Sequence, residues 1–394
     1  EISCSLVGSE MCIRDRFKSF GKKKWLSFGG WINAVIPVLI VPYYSVIGGW
    51  VIKYLVEYFR GNAKLLAEDG YFTDFISNGV STELCFVAFC AFTLIIIFAG
   101  VQNGIERVSK IMMPILIVLS VIIAVYSVTR PGALAGVKYF LVPNVKNFSW
   151  MTVVSAMGQM FYSLSIAMGI LITFGSYMKK DTAIEDSTRN VEIFDTGIAI
   201  MAGLMIIPAV FAFSGGDPNT LQAGPSLMFI TIPKVFQNMG FGTVIGIVFF
   251  LLVLFAAVTS SIALTESAVS TFEDELGWGR KKATVLVGVI MLVLGSLSSL
   301  GYGPLAGIKI IGMQFLDLFD FLTNSVMMPI AALLTSLLVS RVVGIDKIEE
   351  EIIHGESAFR RKKVFVVMIK YLCPVFAIII LLSSVANALG WIKM

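Results

Sequence analysis

Charge is scarce in this chain: Asp, Glu, Lys and Arg make up 14% of 394 residues, against 57% hydrophobic. Soluble domains carry about a quarter charged residues, so this composition excludes an ordinary water-soluble fold. Histidine is nearly absent, His354 being the single copy. A Ser–His pair cannot form inside the apolar runs, and no Gly-x-Gly-Asp string is present. Intramembrane hydrolases of both kinds are thereby removed, and no enzyme is expected. The five cysteines, Cys4, Cys12, Cys85, Cys90 and Cys373, show neither metal-ligand nor redox spacing. Cys85 and Cys90 fall inside an apolar run, where cysteine serves as a small hydrophobe. The net charge of +4 is scattered in short basic clusters between apolar stretches, which is no footprint for nucleic acid. Linkers and low-complexity tracts are missing as well.

What is present is a series of apolar runs, several with about 18 or more nearly uncharged residues, the mark of a polytopic helical membrane protein in a lipid bilayer. Nine spans are predicted, at 27–56, 83–102, 107–128, 151–177, 189–213, 241–272, 281–300, 317–340 and 364–388. The basic clusters Lys22 to Lys24, Arg107/Lys110, Lys179/Lys180/Arg189, Arg280 to Lys282 and Arg360 to Lys363 fall on alternate loops. The positive-inside rule makes those loops cytoplasmic, with Lys22–Lys24 inside, Arg60 outside and the C-terminus extracellular or periplasmic. Of the opposite loops, 129–149 contains Arg130-Pro131-Gly132. Loop 215–240 opens with Gly216-Asp217-Pro218 and ends in an apolar segment stopped by Pro233, a candidate hairpin over a cavity.

Glu1 to Arg16 fit nothing that follows. They carry two cysteines and no apolar core for a signal peptide. The string SCSLVGSEMCIRDR resembles a translated sequencing-adapter read-through, so residues 1–16 are set aside and the chain is expected to be a fragment without its natural N-terminus.

The most informative stretch is GQMFYSLSIAMG, residues 158–169, which runs on to Tyr177. It places Ser163 and Ser165 among glycines in the middle of a span. Backbone that unwinds at such depth must line a protected cavity, and broken helices build ion and substrate sites in this way. A softened helix at a packing interface is the other reading. Of the ionisable residues within spans, those that matter here are Asp195, Glu266, Asp317 and Asp320, each costly to insert. Thr259 and Glu266 are seven apart and share a face within about 20°. Hydroxyl and carbonyl oxygens on that face suit a hard cation such as Na⁺; back-bonding of Thr259 to its own helix is the alternative. Glu266 is a possible coupling carboxylate or a structural one. Tyr43-Tyr44 is an aromatic pair at depth, suited to packing or to recognition.

Taken together, these motifs resemble the neurotransmitter:sodium symporter family, in its bacterial amino-acid-transporting branch. GQMFYSLSIAMGILITFGSY resembles the family's broken sixth helix and FAAVTSSIALTESAVSTFEDEL its eighth. PYYSVIGGW is similar to the third helix, GIERVSKIMMP to the loop into the fifth, and GPSLMFITIPKVF to the extracellular hairpin. The resemblance implies an all-α, inverted-repeat, leucine-transporter-like fold, with residues 17–394 as the transporter domain. The nine spans would be helices three to eleven, the first two being absent.

It also implies residue roles. Tyr44 would hold a substrate carboxylate, with Ile40 one turn away. Tyr162, Met168 and Leu264 would wall the pocket, and Ser163 and Ser165 would belong to the unwound segment. Ser163 would also serve the first sodium site, and Ala256, Thr259 and Ser260 the second, Ser260 bordering the substrate. Asp320 would be the outer gate acid and Asp274 the inner one, with Tyr177 beside it. Asp195 stands where many relatives place a sodium-binding Asn. It would supply the fixed negative charge that chloride supplies elsewhere, so two Na⁺ are expected and chloride is not required. The function implied is Na⁺-coupled symport of neutral, hydrophobic L-amino acids by alternating access. A Na⁺- or H⁺-coupled carrier of another solute such as an amine, or a channel or sensor on the same scaffold, are the alternatives.

Overall fold

An apolar run in lipid must satisfy its backbone polar groups internally, and in a computed structural model of the chain every long run does so as a helix. The structure describes residues 26–179, 181–217, 221, 224–356, 358–388 and 391. The leader 1–16 and the Lys22–Lys24 cluster lie outside the described residues.

The helices, in chain order, are α1 (Leu26–Phe59), α2 (Gly79–Phe98), α3 (Val101–Val128), α4 (Ala133–Leu141), α5 (Trp150–Ser163) and α6 (Ile170–Ser176). They continue with α7 (Ile184–Ser214), α8 (Leu227–Gln237), α9 (Gly242–Leu276) and α10 (Arg280–Leu300). The last three are α11 (Phe315–Val343), α12 (Ile345–Gly355) and α13 (Lys362–Ala388). Among the described residues eight continuous helices are long and apolar enough to cross a membrane. The predicted span 151–177 is not one of them, because it is split into α5 and α6.

Helix α1 is the central post, packed against α9, α2, α10 and α11. It carries Pro37 and Pro42 within a helix of 34 residues. Ser45 donates its hydroxyl to the Val41 carbonyl one turn back at 2.8 Å, a local back-bond of the kind that often accompanies a bend. The α1–α2 crossing is closed by Gly49. A Cβ there would lie 2.7 Å from the Phe86 backbone nitrogen, so only glycine permits the approach.

Three boundaries differ from the sequence reading. α2 begins at Gly79, not 83, and its polar opening turn is engaged at several points. Asn78 accepts the Ser81 N–H at 3.1 Å, the Thr82 hydroxyl donates to the Phe75 and Asn78 carbonyls at 2.9 Å, and Ser296 donates to Glu83. Second, GIERVSKIMMP is not a loop. Its residues lie wholly in α3, which opens with a widened π turn over Val101–Glu106, so Arg107 and Lys110 sit on a helix. Third, Pro233 does not stop the segment before it. It lies just after a widened π turn over Leu227–Thr231, the Phe229 carbonyl four residues before it accepts the Tyr54 hydroxyl, and α8 runs through it. The described part of the expected hairpin, from Leu227 on, is thus a single short helix.

α8 lies across the end of the bundle that carries Asp317 and Asp320. The Tyr54 hydroxyl donates to the Phe229 carbonyl at 2.8 Å, and Trp50, Tyr54, Phe72 and Phe229 pack ring against ring. Lys234 pairs with Asp69 at its rim.

Candidate functional site

The site begins with the break. α5 ends at Ser163, where the Leu164, Ser165 and Ile166 N–H groups still reach back to Met160, Tyr162 and Phe161 at 2.9–3.1 Å. The chain then turns left-handed three times within five residues, at Ser165 (φ 53°), Ala167 (φ 61°) and Gly169 (φ 74°), before α6 starts. Two of these are not glycine, at a cost on the order of 1–2 kcal/mol each. Something around the break must therefore hold it open. One holder is visible: the Ser163 hydroxyl donates to the Asp195 carboxylate of α7 at 2.5 Å.

On the α1 and α9 side, Ile40, Met168 and Leu264 are almost wholly buried in one apolar cluster, with Tyr44, Tyr162 and Ala256 packed on it. The Tyr44 hydroxyl lies against Ser260, and Tyr162 is within electrostatic reach of both Tyr44 and Asp320. Ile40, Met168 and Leu264 thus belong to the same apolar cluster as the two tyrosines. Thr259 donates to the Phe255 carbonyl at 3.1 Å and the Ala256 carbonyl at 3.0 Å. Back-bonding of this kind uses the hydroxyl proton and leaves lone pairs that can accept a cation, so the two sequence readings of Thr259 are compatible. Among the described residues no group of three or more His, Cys, Asp or Glu could hold a metal. A sodium ion held by hydroxyl and carbonyl oxygens would need none.

Asp320 sits at one end of this region beside a cavity of about 360 Å³, lined among others by Gln159, Tyr162, Asn324, Ser325 and Met328. The Tyr43 hydroxyl donates to Asp320 at 3.2 Å and lies 3.3 Å from the Thr323 hydroxyl. Asn324 donates to Asp320 as well. Tyr43 and Asn324 were not singled out as site residues by the sequence. The 320/324 spacing of four was the available signal, since it puts both side chains on one helix face.

At the opposite end a second network closes on Glu266, which is completely buried. Arg280, from the start of α10, grips both carboxylate oxygens, at 2.9 and 2.6 Å, and also donates to the Ile97 carbonyl at the end of α2. The Tyr177 hydroxyl donates to Glu266 at 2.8 Å. Tyr177 therefore meets Glu266, while Asp274 is exposed near the end of α9. Arg280 entered the sequence reading only as loop charge. The reason it moves inward is that Glu266, fourteen residues earlier, has no other cation within reach among the contacts described. Thr173 adds hydroxyl contacts to Ser267 and Ser270 at 3.2 and 3.3 Å, tying α6 to α9.

Comparison with known proteins places this architecture. The sequence profile of the sodium:neurotransmitter symporter family matches residues 56–391. The sodium-dependent transporter YhdH of Bacillus subtilis is 33% identical over 375 residues, covering 94% of this chain and 82% of its own. A sodium-dependent transporter of Haemophilus influenzae is 30% identical, covering 93% and 81%. Among solved structures, MhsT in complex with L-phenylalanine superposes with a TM-score of 0.84 at 32% identity, over 97% of this chain and 87% of that one.

Proposed function

The chain belongs to the sodium:neurotransmitter symporter family, as a multi-pass sodium-dependent transporter and not an enzyme, and from that premise we propose that its cargo is a neutral, hydrophobic L-amino acid. The observation that carries this is the wall chemistry. Ile40, Met168 and Leu264 are apolar and buried, and the groups beside them are the neutral hydroxyls of Tyr44, Tyr162 and Ser260. A charged side chain held against these walls would lose hydration without a counter-ion among them, at a cost of several kcal/mol. The phenylalanine bound to MhsT supports the same reading.

In this mechanism residues 17–394 act as the transporter domain and two Na⁺ bind first. One lies near Ser163 and Asp195, the other near Ala256, Thr259 and Ser260. The substrate carboxylate then meets the first ion, the exposed backbone of the break and the Tyr44 hydroxyl. Asp195 provides a fixed anion, so chloride is not needed. Asp320 gates the outer side and Asp274 the inner side, with the basic loops facing the cytoplasm. Coupling follows if Na⁺ favours the outward-facing state and is released once the outer side has closed. Glu266 acts as a structural anion, because Arg280 takes both of its oxygens.

Proteoliposome uptake tests the cargo. Leucine, phenylalanine or tryptophan should compete for Na⁺-driven uptake while lysine and glutamate do not. Preference for lysine or glutamate would overturn the assignment. Uptake that follows a proton gradient at zero Na⁺ gradient would overturn the coupling.

A further inference from the structure

Away from the site, two acidic residues cap backbone N–H groups on opposite sides of one joint. Glu356, just past α12, accepts the N–H groups of Glu185 and Asp186 at 2.6 and 3.2 Å. These are donors of the first turn of α7, which have no partner within their own helix. Glu185 in turn accepts the N–H groups of Arg360 and Arg361 at 2.9 and 3.1 Å. All four bonds run to a charged acceptor, which makes each roughly twice as strong as a neutral one. The Glu185 side chain is only 10% exposed.

An apolar seam lies directly alongside. Ile184 packs into a buried cluster that includes Leu338, Val339, Ile348 and Ile352, with Phe359 on its flank. The backbones meet as closely as they can: a Cβ on Gly355 would lie 2.7 Å from the Thr182 carbonyl oxygen. Arg361 adds a bond to Glu192 at 2.7 Å. Charged clamp, apolar seam and close backbone approach thus coincide at one joint between the start of α7 and the loop linking α11 to α13.

The joint gains meaning from what stands next to it in the chain. α6, the second half of the broken helix, ends at Ser176, a few residues before Thr182. It is held against α9 by the Tyr177 bond to the buried Glu266 carboxylate, by the Thr173 contacts to Ser267 and Ser270, and by packing of Phe174 on a cluster that includes Val258 and Ile262. A movement that parts α6 from α9 breaks one charge-assisted bond and two hydroxyl contacts, whereas one that parts α7 from the α12 loop breaks four charge-assisted bonds and opens an apolar seam. With one charge-assisted bond against four, the α6 contacts are the weaker set.

We propose that the Glu185–Glu356 clamp is a fixed pivot: α7 and the α12 loop move as one body, and α6 swings from that point when its contacts with α9 open. The proposal rests on the alternating-access reading above. Hydrogen exchange followed by mass spectrometry on the full chain in lipid nanodiscs tests it, in K⁺, in Na⁺, and in Na⁺ with leucine. Peptides covering amides 185–186 and 360–361 should be equally protected in all three, while exchange over 170–178 differs between them. Several-fold faster exchange of the clamp peptides in any one condition would overturn the pivot, as would an α6 segment that never changes in protein active for uptake. Absence of Na⁺-driven uptake in the same preparation would instead strike the transport reading.

Variants provide a second readout. Glu356→Gln and Glu185→Gln should speed trypsin cleavage at Arg360–Lys363 several-fold and lower uptake by about tenfold or more, with Na⁺ affinity unchanged. Glu192→Gln, which loses only the Arg361 side-chain bond, should leave both at wild-type level. Cleavage and uptake at wild-type level in the Glu185 and Glu356 variants would overturn the proposal. Should those variants fail to fold, the exchange pattern of the wild-type chain decides alone.

Discussion

In the proposed mechanism a single carboxylate sets the ionic requirements of the site, and Asp195 is the residue to change. Its bond to Ser163 joins α7 to the edge of the break. Wild-type uptake is expected to persist when chloride is replaced by gluconate, whereas Asp195→Ala should lose uptake and regain part of it with chloride added. Collapse of wild-type uptake without chloride contradicts this, and so does full activity of the variant in its absence. Glu266 poses a different question, one of stability. Arg280→Leu strands a fully buried carboxylate, which costs about 3–5 kcal/mol, while Arg280→Leu with Glu266→Leu removes both charges and should recover most of that. Thermal unfolding in detergent compares the two. A double variant no more stable than the single one would mean that the pair is not coupled in this way.

At the scale of the element, sequence legibility depended on whether a residue's partners were near or far in the chain. The broken helix could be read from Ser163, Ser165 and their flanking glycines because its cause is local. Its breakpoints, Ser165 and Ala167 at positive φ, could not, since no local preference puts alanine there. The predicted start of the α2 span at 83 falls four residues after Gly79, and the partner that engages Glu83 there, Ser296, lies 213 residues away. Arg280 was similarly hidden, its partners being Glu266 and a carbonyl 183 residues away. Close helix approach belongs to this scale too. Gly49→Ala forces α1 and α2 apart against the Phe86 backbone, and should destabilise by about 1–3 kcal/mol, as inserted methylenes in packed cores do. A melting temperature equal to wild type would show that the crossing can relax.

For the whole molecule, the two ends of the bundle are closed by different chemistry. At the Asp320 end, α8 is held by aromatic packing, one buried hydroxyl bond and the exposed Lys234–Asp69 pair. The hydrogen bond from Lys234 and its charge lower the Asp69 pKa below the ordinary carboxylate value. A depressed acid contributes stability above its unfolded pKa and loses it as pH falls through the folded value, so this tether acts at neutral pH and weakens only below about pH 4. Being exposed, it is also screened by salt. The accessibility of a cysteine introduced on α8 should accordingly be insensitive to pH between 5 and 8 and rise in acid or high salt. It should not rise in Asp69→Asn when the pH is dropped. An acid response of equal size in that variant would place the titrating group elsewhere.

The left-handed turns at Ser165 and Ala167 have a consequence for anyone who breeds this protein for robustness. A screen that scores heat survival alone would be drawn to those two positions, because glycine there removes the cost of the turn. What it would collect are sturdier chains whose cargo site has lost the stiffness that shapes it, and the gain in shelf life would be mistaken for improvement until turnover was counted.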